Sequence, residues 1–401
     1  MFSDRVKKNQ AVNRLSRALA AKKAAGAMLL DLTESNPTRS GFSYDGQAIL
    51  QALAHRGNSL LYQPDPQGLP GARRAVAEYY GERGVSMEAD SLILTSGTSE
   101  AYGSLFKLLA NPGDEILVPV PGYPLLEVLT ELESVQQVPY RLIYEEPRGW
   151  RVDLERLRNT ISNRTVAIVS VSPNNPTGSF LKVDELAEIG EMCRQFGLAL
   201  IVDEVFADYG RGADENRVQC AAAYRDSLTF VLNGFSKIVG LPQMKLGWIH
   251  VSGPEALCRQ AREHLEFIND AYLTVGTPIQ NAAADILRQR GMIQTQILSR
   301  VETNGSTLQR EMQTVGSCGI LTREGGWYAV LRLPDDCPEE ELAVELLEKD
   351  NVLVHPGYFY DFPTGRFLVI SLLTPLESFN IGAARLVARL RGRAQVGIMT
   401  A

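Results

Sequence analysis

The stretch Leu228-Thr-Phe-Val-Leu-Asn-Gly-Phe-Ser-Lys-Ile-Val-Gly-Leu-Pro-Gln-Met-Lys245 runs from an apolar segment into a Gly/Pro-rich loop. Ser236-Lys237 sits at the junction, just past the strand-like run Leu228 to Leu232. A surface lysine gains nothing there. A lysine that forms a Schiff base with a carbonyl gains much, because low-polarity surroundings disfavour the charged form and leave a nucleophilic amine. Alone the placement is weak evidence; other segments, in order along the chain, strengthen it.

Working outward, residues 90 to 250 alternate strand and helix. Short β-rich runs occur at Leu92 to Leu94, Glu115 to Val120, Thr165 to Val171, Leu198 to Val202, Leu228 to Leu232 and Leu246 to Val251. Between them, Ala101, Leu105, Leu108 and Leu109 recur at helical spacing, as do Leu186, Ile189 and Met192. Upstream, Ala72, Ala75, Val76, Tyr79 and Tyr80 form an amphipathic stripe just after Pro70. The pattern predicts an α/β fold with a mostly parallel sheet covered by helices. In such sheets, functional residues gather at the carboxyl ends of strands. Gly97, Asn175, Asp203 and Lys237 each follow an apolar run. From about 286 the character changes: a helix-like stretch (Ile286 to Met312), strand runs Gly326 to Leu333 and Phe367 to Leu373, and a helix Glu339 to Lys349 between them. We expect a large domain over 46–285 and a smaller α+β domain made of 1–45 and 286–401.

The chain has 401 residues, 45% hydrophobic and 22% charged, with a net charge of −7. That allows a sizeable core and disfavours nucleic acid as a partner. Arg5 to Lys23 is basic and helix-like but lacks an apolar signal core, so it reads as an ordinary N-terminal helix. No apolar run reaches membrane-spanning length. The five cysteines are scattered without a Cys-x-x-Cys pair, which suggests reduced thiols in the cytoplasm. His55, His250, His264 and His355 are isolated from one another and from any cysteine, so no metal is expected.

Five further segments carry chemistry. Ser96-Gly97-Thr98-Ser99-Glu100 lies between a strand and a helix, where free N–H groups and the helix dipole favour a phosphate; simple helix capping is the alternative. Ser172-Pro173-Asn174-Asn175-Pro176-Thr177-Gly178 is either a punctuated loop or a rigid mount that lets Asn175 donate to a phenolic oxygen on a ring cofactor. Asp203, after four apolar residues, is costly unless paired; a protonated pyridine nitrogen suits it, and capping of the next segment is the other reading. Tyr123, in Pro121-Gly122-Tyr123-Pro124, reads as a turn tyrosine or as a ring-stacking one. Tyr62, before Gln63-Pro64-Asp65-Pro66-Gln67-Gly68, is likewise a loop tyrosine or a phosphate ligand.

Taken together these segments resemble the class I/II aminotransferases, the aspartate aminotransferase family of fold-type I enzymes that use pyridoxal 5′-phosphate (PLP). The resemblance runs from about Leu30 to Arg391. It implies that Lys237 forms the internal aldimine and then moves a proton between Cα and C4′, and that Asp203 holds the pyridinium. It further implies that Asn175 reaches the ring oxygen, Tyr123 stacks on the ring, and Gly97, Thr98, Ser99 and Ser236 surround the phosphate. Tyr62 and Thr277 would reach phosphate from the partner subunit of a homodimer, since family active sites lie at a dimer interface. Ser35-Asn36-Pro37 matches the loop that closes over substrate.

Three departures stand out. The family's Tyr three residues after the Asp is Phe206, so the internal aldimine pKa is expected to be raised. The phosphate-binding Arg eight residues after the lysine is Lys245, which supplies charge without a two-pronged grip. The substrate-carboxylate Arg, two residues before a strand Ser, is Val369, and Val cannot bind a carboxylate. Arg366 falls on the opposite strand face; Arg39, unless simply solvated, is the better replacement. The aromatic run Gly357 to Phe362, with Trp327-Tyr328, reads as core packing or as a wall favouring a neutral or hydrophobic substrate.

The expected function is transamination between an amino acid and a 2-keto acid. The alternative is a PLP-dependent decarboxylase, lyase or cyclising enzyme, because whichever Cα bond stands perpendicular to the ring breaks, and the carboxylate grip sets that angle. A PLP-sensing regulator is the non-enzyme reading; the short segment ahead of the matching region cannot make a winged helix.

Overall fold

The computed structural model describes residues 2–6, 13–54 and 59–399, with side chains to 393. His55 and residues 7–12 of the expected N-terminal helix lie outside the described residues; that helix is seen over Arg14–Ala24.

The central sheet has eight strands in the order Leu92–Thr95, Gly247–Ser252, Thr229–Gly234, Ala199–Asp203, Thr165–Val171, Glu115–Val120, Gln136–Glu145, Gly149–Val152. The strands from Thr229–Gly234 through Gln136–Glu145 run parallel. Gly247–Ser252 is antiparallel to both of its neighbours, and Gly149–Val152 closes the far edge as an antiparallel hairpin partner.

The apolar runs are nearly continuous because both faces of the sheet are buried. Alternate residues of one strand enter two separate cores: Leu200 and Val202 join one, Ala199 and Ile201 the other. Helices Thr98–Leu109 and Glu255–Asp270 cover one face, contributing Ala101, Leu105 and Leu265; Pro70–Gly81 and Val183–Phe196 cover the other with Val76, Tyr80 and Ile189. Each such fully buried aliphatic side chain contributes roughly 1.5–3 kcal/mol of transfer free energy.

The expected strand runs are all present, shifted by a residue or two at their ends. The hairpin Gln136–Glu145 with Gly149–Val152 is additional. A second sheet has four antiparallel strands in the order Gly319–Ile320, Tyr328–Leu333, Arg366–Ser371, His355–Pro356. The N-terminal segment joins this half of the chain. Leu30–Asp31 pairs in parallel with Val352–Leu353, and the Leu32 N–H donates to the Leu353 carbonyl. The pairing carries residues 33–36 to the end of the strand Arg366–Ser371, where the Ser371 hydroxyl donates to the Glu34 carbonyl at 2.6 Å.

Candidate active site

Lys237 lies in the one-turn helix Phe235–Ile238, at the carboxyl end of the strand Thr229–Gly234. Its Nζ stands 4.9 Å from the ring centre of Trp327 and 5.3 Å from that of Phe206. The side chain is half-buried, and desolvation lowers its pKa to about 8 against the pull of the Asp203 charge. The apolar setting expected for a reactive amine is therefore present.

Asp203 ends the adjacent strand, Ala199–Asp203, and is 8% exposed. Burial lifts its pKa to about 6, while the Val205 N–H, the Tyr102 hydroxyl and the Lys237 charge pull the other way. Val205 N donates to Oδ1 at 3.0 Å and Tyr102 Oη to Oδ2 at 3.1 Å. The carboxylate is thus oriented as well as buried.

Asn175 is also 8% exposed, and its Oδ1 has no hydrogen-bond partner. The loop around it is fixed. Ser172 N donates to the Asp203 carbonyl, Asn174 Oδ1 accepts from the Thr177 hydroxyl, and the Asn174 N–H donates to the Ser179 carbonyl. A buried unsatisfied amide oxygen on so rigid a loop marks a place for a polar ligand.

Gly97 is the N-cap of the helix Thr98–Leu109, with φ +133°, and no side chain caps that helix. Capping by Ser or Thr is therefore not what this segment does; instead Ser96 N–H donates to the Glu100 carboxylate. A Cβ added to Gly247 would fall 2.8 Å from Gly97 Cα, so the backbones meet only because residue 247 is glycine. Lys245 brings its Nζ to 3.8 Å from the point where a Cβ on Gly97 would stand. A helix N-terminus beside an ammonium is an anion seat. Thr98 is half-buried and Ser99 exposed at its rim, and Ser236 is half-buried next to Lys237.

Tyr123 is 53% exposed, and its turn is tied to the aromatic turn Gly357–Tyr360 by the Gly122 N–H donating to the Tyr360 carbonyl. Burial raises the pKa of Tyr328 and Tyr360, and the nearby Tyr123 adds to both, as Tyr328 does to Tyr360. Tyr62 and Thr277 share a small cleft with Asn269 and Gln280, away from Lys237 of the same chain. Phe206 is buried edge-on to Trp327.

Of the substrate candidates, Ser35 lies beside Tyr328, where it opposes the rise in the phenol pKa that burial causes. Asn36 Oδ1 accepts from the Thr38 N–H and hydroxyl, capping the turn Pro37–Arg39. Arg39 is exposed and pairs with Glu34 at 3.2 Å. Val369 is buried in a row between Val330 and His355, and Arg366 is exposed at the start of the strand.

Sequence reasoning missed Tyr102 as a partner of Asp203 and left Trp327 and Tyr328 between core and site. Tyr102 follows Thr98 by four residues on the buried face of its helix, a spacing that could have pointed to it.

The chain matches the family described as aminotransferase class I and II over residues 27–377. It is 26% identical over 383 residues to the glutamate-pyruvate aminotransferase AlaA of Escherichia coli (strain K12), with 92% of each chain covered. It is 28% identical over 352 residues to the alanine aminotransferase of Mycobacterium tuberculosis (strain ATCC 25618 / H37Rv), covering 85% of this chain and 80% of that one. Among solved structures, the alanine aminotransferase from Pyrococcus furiosus has a TM-score of 0.86 at 24% identity, covering 98% of this chain and 100% of that one. An aspartate aminotransferase mutant from Thermus thermophilus has a TM-score of 0.83 at 22% identity, with 97% and 99% covered. At these identities the structural likeness speaks for the fold, which is that of the fold-type I enzymes. On the match over most of its length, this chain belongs to the aminotransferase class I and II family.

Proposed function

We propose that the protein is a PLP-dependent aminotransferase that moves an amino group between an amino acid and a 2-keto acid. The observation that carries this reading is the half-buried Lys237 amine and the buried Asp203 carboxyl, on adjacent strands and within each other's electrostatic reach, at the carboxyl edge of a parallel sheet in a chain of this family. The residues present fit PLP. Asn175 is buried with an amide whose Nδ2 end can donate, the Gly97 helix end carries no side-chain cap, and Lys245 stands beside it.

Lys237 would hold the aldehyde, and Asp203 the ring nitrogen, with Tyr102 keeping the carboxylate aimed. Asn175 would hold the ring oxygen, Tyr123 and Phe206 would flank the ring, and Gly97, Thr98, Ser99, Ser236 and Lys245 would hold the phosphate. Bound PLP supplies an electron sink that makes the Cα–H bond of an amino acid breakable. Once the substrate's amine displaces it, Lys237 Nζ would be the base that takes the Cα proton, a role its lowered pKa favours near neutral pH. Trp327 and Phe206 keep water from the amine.

The same reading places a large domain over 46–285 and a small one in 1–45 with 286–401. It makes the active protein a cytoplasmic homodimer, with Tyr62 and Thr277 serving the partner's phosphate. No described helix is long and apolar enough to cross a membrane. Ser35, Asn36, Arg39 and Asn175 would meet the substrate. The aromatic side chains around Tyr328 favour a neutral or hydrophobic amino acid, and the names of the relatives above make alanine with 2-ketoglutarate the first pair to try.

The test is a single turnover. PLP-loaded protein is mixed with one amino acid and no keto acid, and cofactor and products are identified by mass spectrometry. Pyridoxamine phosphate with the matching keto acid is expected. Regenerated PLP with released CO2, or with an eliminated side-chain group, would replace this reading by decarboxylation or elimination, the alternative that Val369 in place of the expected Arg leaves open.

A further inference from the structure

Lys237 sits in a helix of one turn, Phe235–Ile238, too short to satisfy its own carbonyl end. Side chains from three segments reach that end instead. Tyr209 Oη donates to the Lys237 carbonyl at 2.7 Å, a shorter bond than the 3.2 Å one that the same carbonyl accepts from the Gly240 N–H. Gln294 Nε2, from the helix Arg290–Met312, donates to the Ile238 carbonyl at 2.9 Å and to Asp208 Oδ2 at 2.6 Å. Tyr44 Oη donates to the Gly240 carbonyl at 2.8 Å. Asp208 is fixed in turn by the Tyr79 hydroxyl at 3.0 Å and by Arg83 at 3.1 Å.

Two of these holds come from one place. Asp208 and Tyr209 end the short turn Ala207–Tyr209, which follows Asp203 and Phe206 in the chain. Tyr209 is 1% exposed and meets the surroundings of the lysine twice more. Its ring is edge-on to Trp327 with centres 4.9 Å apart, and its carbonyl accepts from the Gly326 N–H at 3.0 Å. Trp327 faces Lys237 Nζ at 4.9 Å. The lysine is thus bounded at its backbone end by the Tyr209 hydroxyl and at its amine end by a ring that Tyr209 supports. We propose that Tyr209 is a positioning residue for Lys237, holding its peptide directly and its amine through Trp327, so that Nζ keeps one place in the site.

This inference rests on the proposed function, which makes Lys237 the reacting group. A lysine stem is long and flexible, so the place of its amine depends on where the backbone starts and what the stem lies against. Proton transfer tolerates little error in that place. The Tyr209 phenol is a dependable donor: burial, with Asp208 and Tyr44 adding to it, pushes its pKa well up, and it keeps its proton through the neutral range. Tyr209→Phe keeps the ring and removes the bond. The first readout is the pH dependence of Lys237 acetylation in the cofactor-free protein, followed by peptide mass mapping. The wild-type midpoint is expected near 8, set by desolvation against the charge of Asp203. Tyr209→Phe lets the stem relax toward water, so its midpoint should rise by about half a unit or more. In the PLP-loaded protein kcat should fall about threefold to tenfold, the size of one hydrogen bond, with KM little changed. Tyr44→Phe is the comparison. It removes the same kind of bond from Gly240, three residues past the lysine, and should lower the melting temperature by a similar amount while leaving midpoint and kcat unmoved.

A Tyr209→Phe protein with the wild-type midpoint overturns the proposal. So does a Tyr44→Phe protein that matches Tyr209→Phe in midpoint and kcat, since the loop would then be loosened in general. If Tyr209→Phe fails to fold, Gln294→Met decides. It releases the Ile238 carbonyl from the Asp208 end of the same turn and should raise the midpoint; an unmoved midpoint overturns the brace. A wild type that takes up no PLP removes the functional reading itself, and the acetylation of the cofactor-free protein then judges the brace on its own. A wild type that loads PLP while Tyr209→Phe leaves the midpoint unmoved removes this inference alone.

Discussion

Tyr102 Oη donates a hydrogen bond to Asp203 Oδ2 at 3.1 Å, across the gap between the helix Thr98–Leu109 and the end of the strand Ala199–Asp203. Burial raises the Asp203 pKa to about 6, and this hydroxyl helps to keep it from rising further. A hydrogen bond to a charged group contributes about 1.5–3 kcal/mol. Tyr102→Phe should therefore lift Asp203 by one to two pH units, by order of magnitude, into the neutral range. We expect kcat/KM at pH 7 to fall about tenfold and the acid limb of the pH profile to move upward. An unmoved acid limb would separate Tyr102 from the chemistry.

The raised Asp203 pKa also has a consequence for stability without cofactor. The folded value of about 6 lies above the ordinary 3.8. Between those values the folded protein keeps a proton that the unfolded chain has released. Stability from this group is thus full below about 3.8 and is lost as pH rises through about 6. Asp203→Asn should stabilise the cofactor-free protein at pH 7 by about 1–2 kcal/mol, less than the full shift because Lys237 loses a partner. The gain should shrink as pH falls toward 4 in thermal melts, and PLP binding should weaken sharply. A gain that does not depend on pH would place its origin elsewhere.

Much of this arrangement was readable in the chain because buried parallel strands are apolar on both faces. Their ends, and hence Gly97, Asn175, Asp203 and Lys237, stand out as polar residues after apolar runs. The hairpin Gln136–Glu145 with Gly149–Val152 did not stand out. Most of its longer strand is half-buried or exposed, and Pro139 within it argues against a strand. Tyr102 and Tyr328 were hidden for a different reason. Each looks like a core aromatic on its own element, and only tertiary packing brings the first to Asp203 and the second to Asn175. Val369 was conspicuous in sequence, yet the structure is needed to show it enclosed between Val330 and His355.

Phe206 lies with its ring edge-on to Trp327 at 5.1 Å and to Tyr328 at 6.3 Å, and Lys237 Nζ is 5.3 Å from its centre. In the proposed PLP site a hydroxyl added here would serve the ring oxygen. Phe206→Tyr should lower the pH midpoint of the bound cofactor's absorbance change by about one unit, because a phenol donating to an oxygen anion stabilises it. The wild-type midpoint is expected near or above neutral. A wild-type midpoint well below neutral would mean that another donor already fills this role.

Arg39 tests what holds the substrate carboxylate. Its guanidinium pairs with Glu34 at 3.2 Å, and most of the side chain is in solvent. Such a pair contributes at most about 1 kcal/mol to stability, so Arg39→Ala should leave the melting temperature nearly unchanged. The loop that carries it is docked on the four-stranded sheet by the Ser371 hydroxyl donating to the Glu34 carbonyl. If it swings from Glu34 to the substrate, its loss should raise KM for amino acids about tenfold with kcat little changed, the signature of an interaction made equally in the bound and reacting states. A primary amine without a carboxylate supplies the control, since its KM should not respond. An equal KM for wild type and variant on amino acids would assign the carboxylate to the neutral donors Ser35 and Asn175. Val369, facing His355 across the strands, would then mark a site that orients its substrate without a guanidinium.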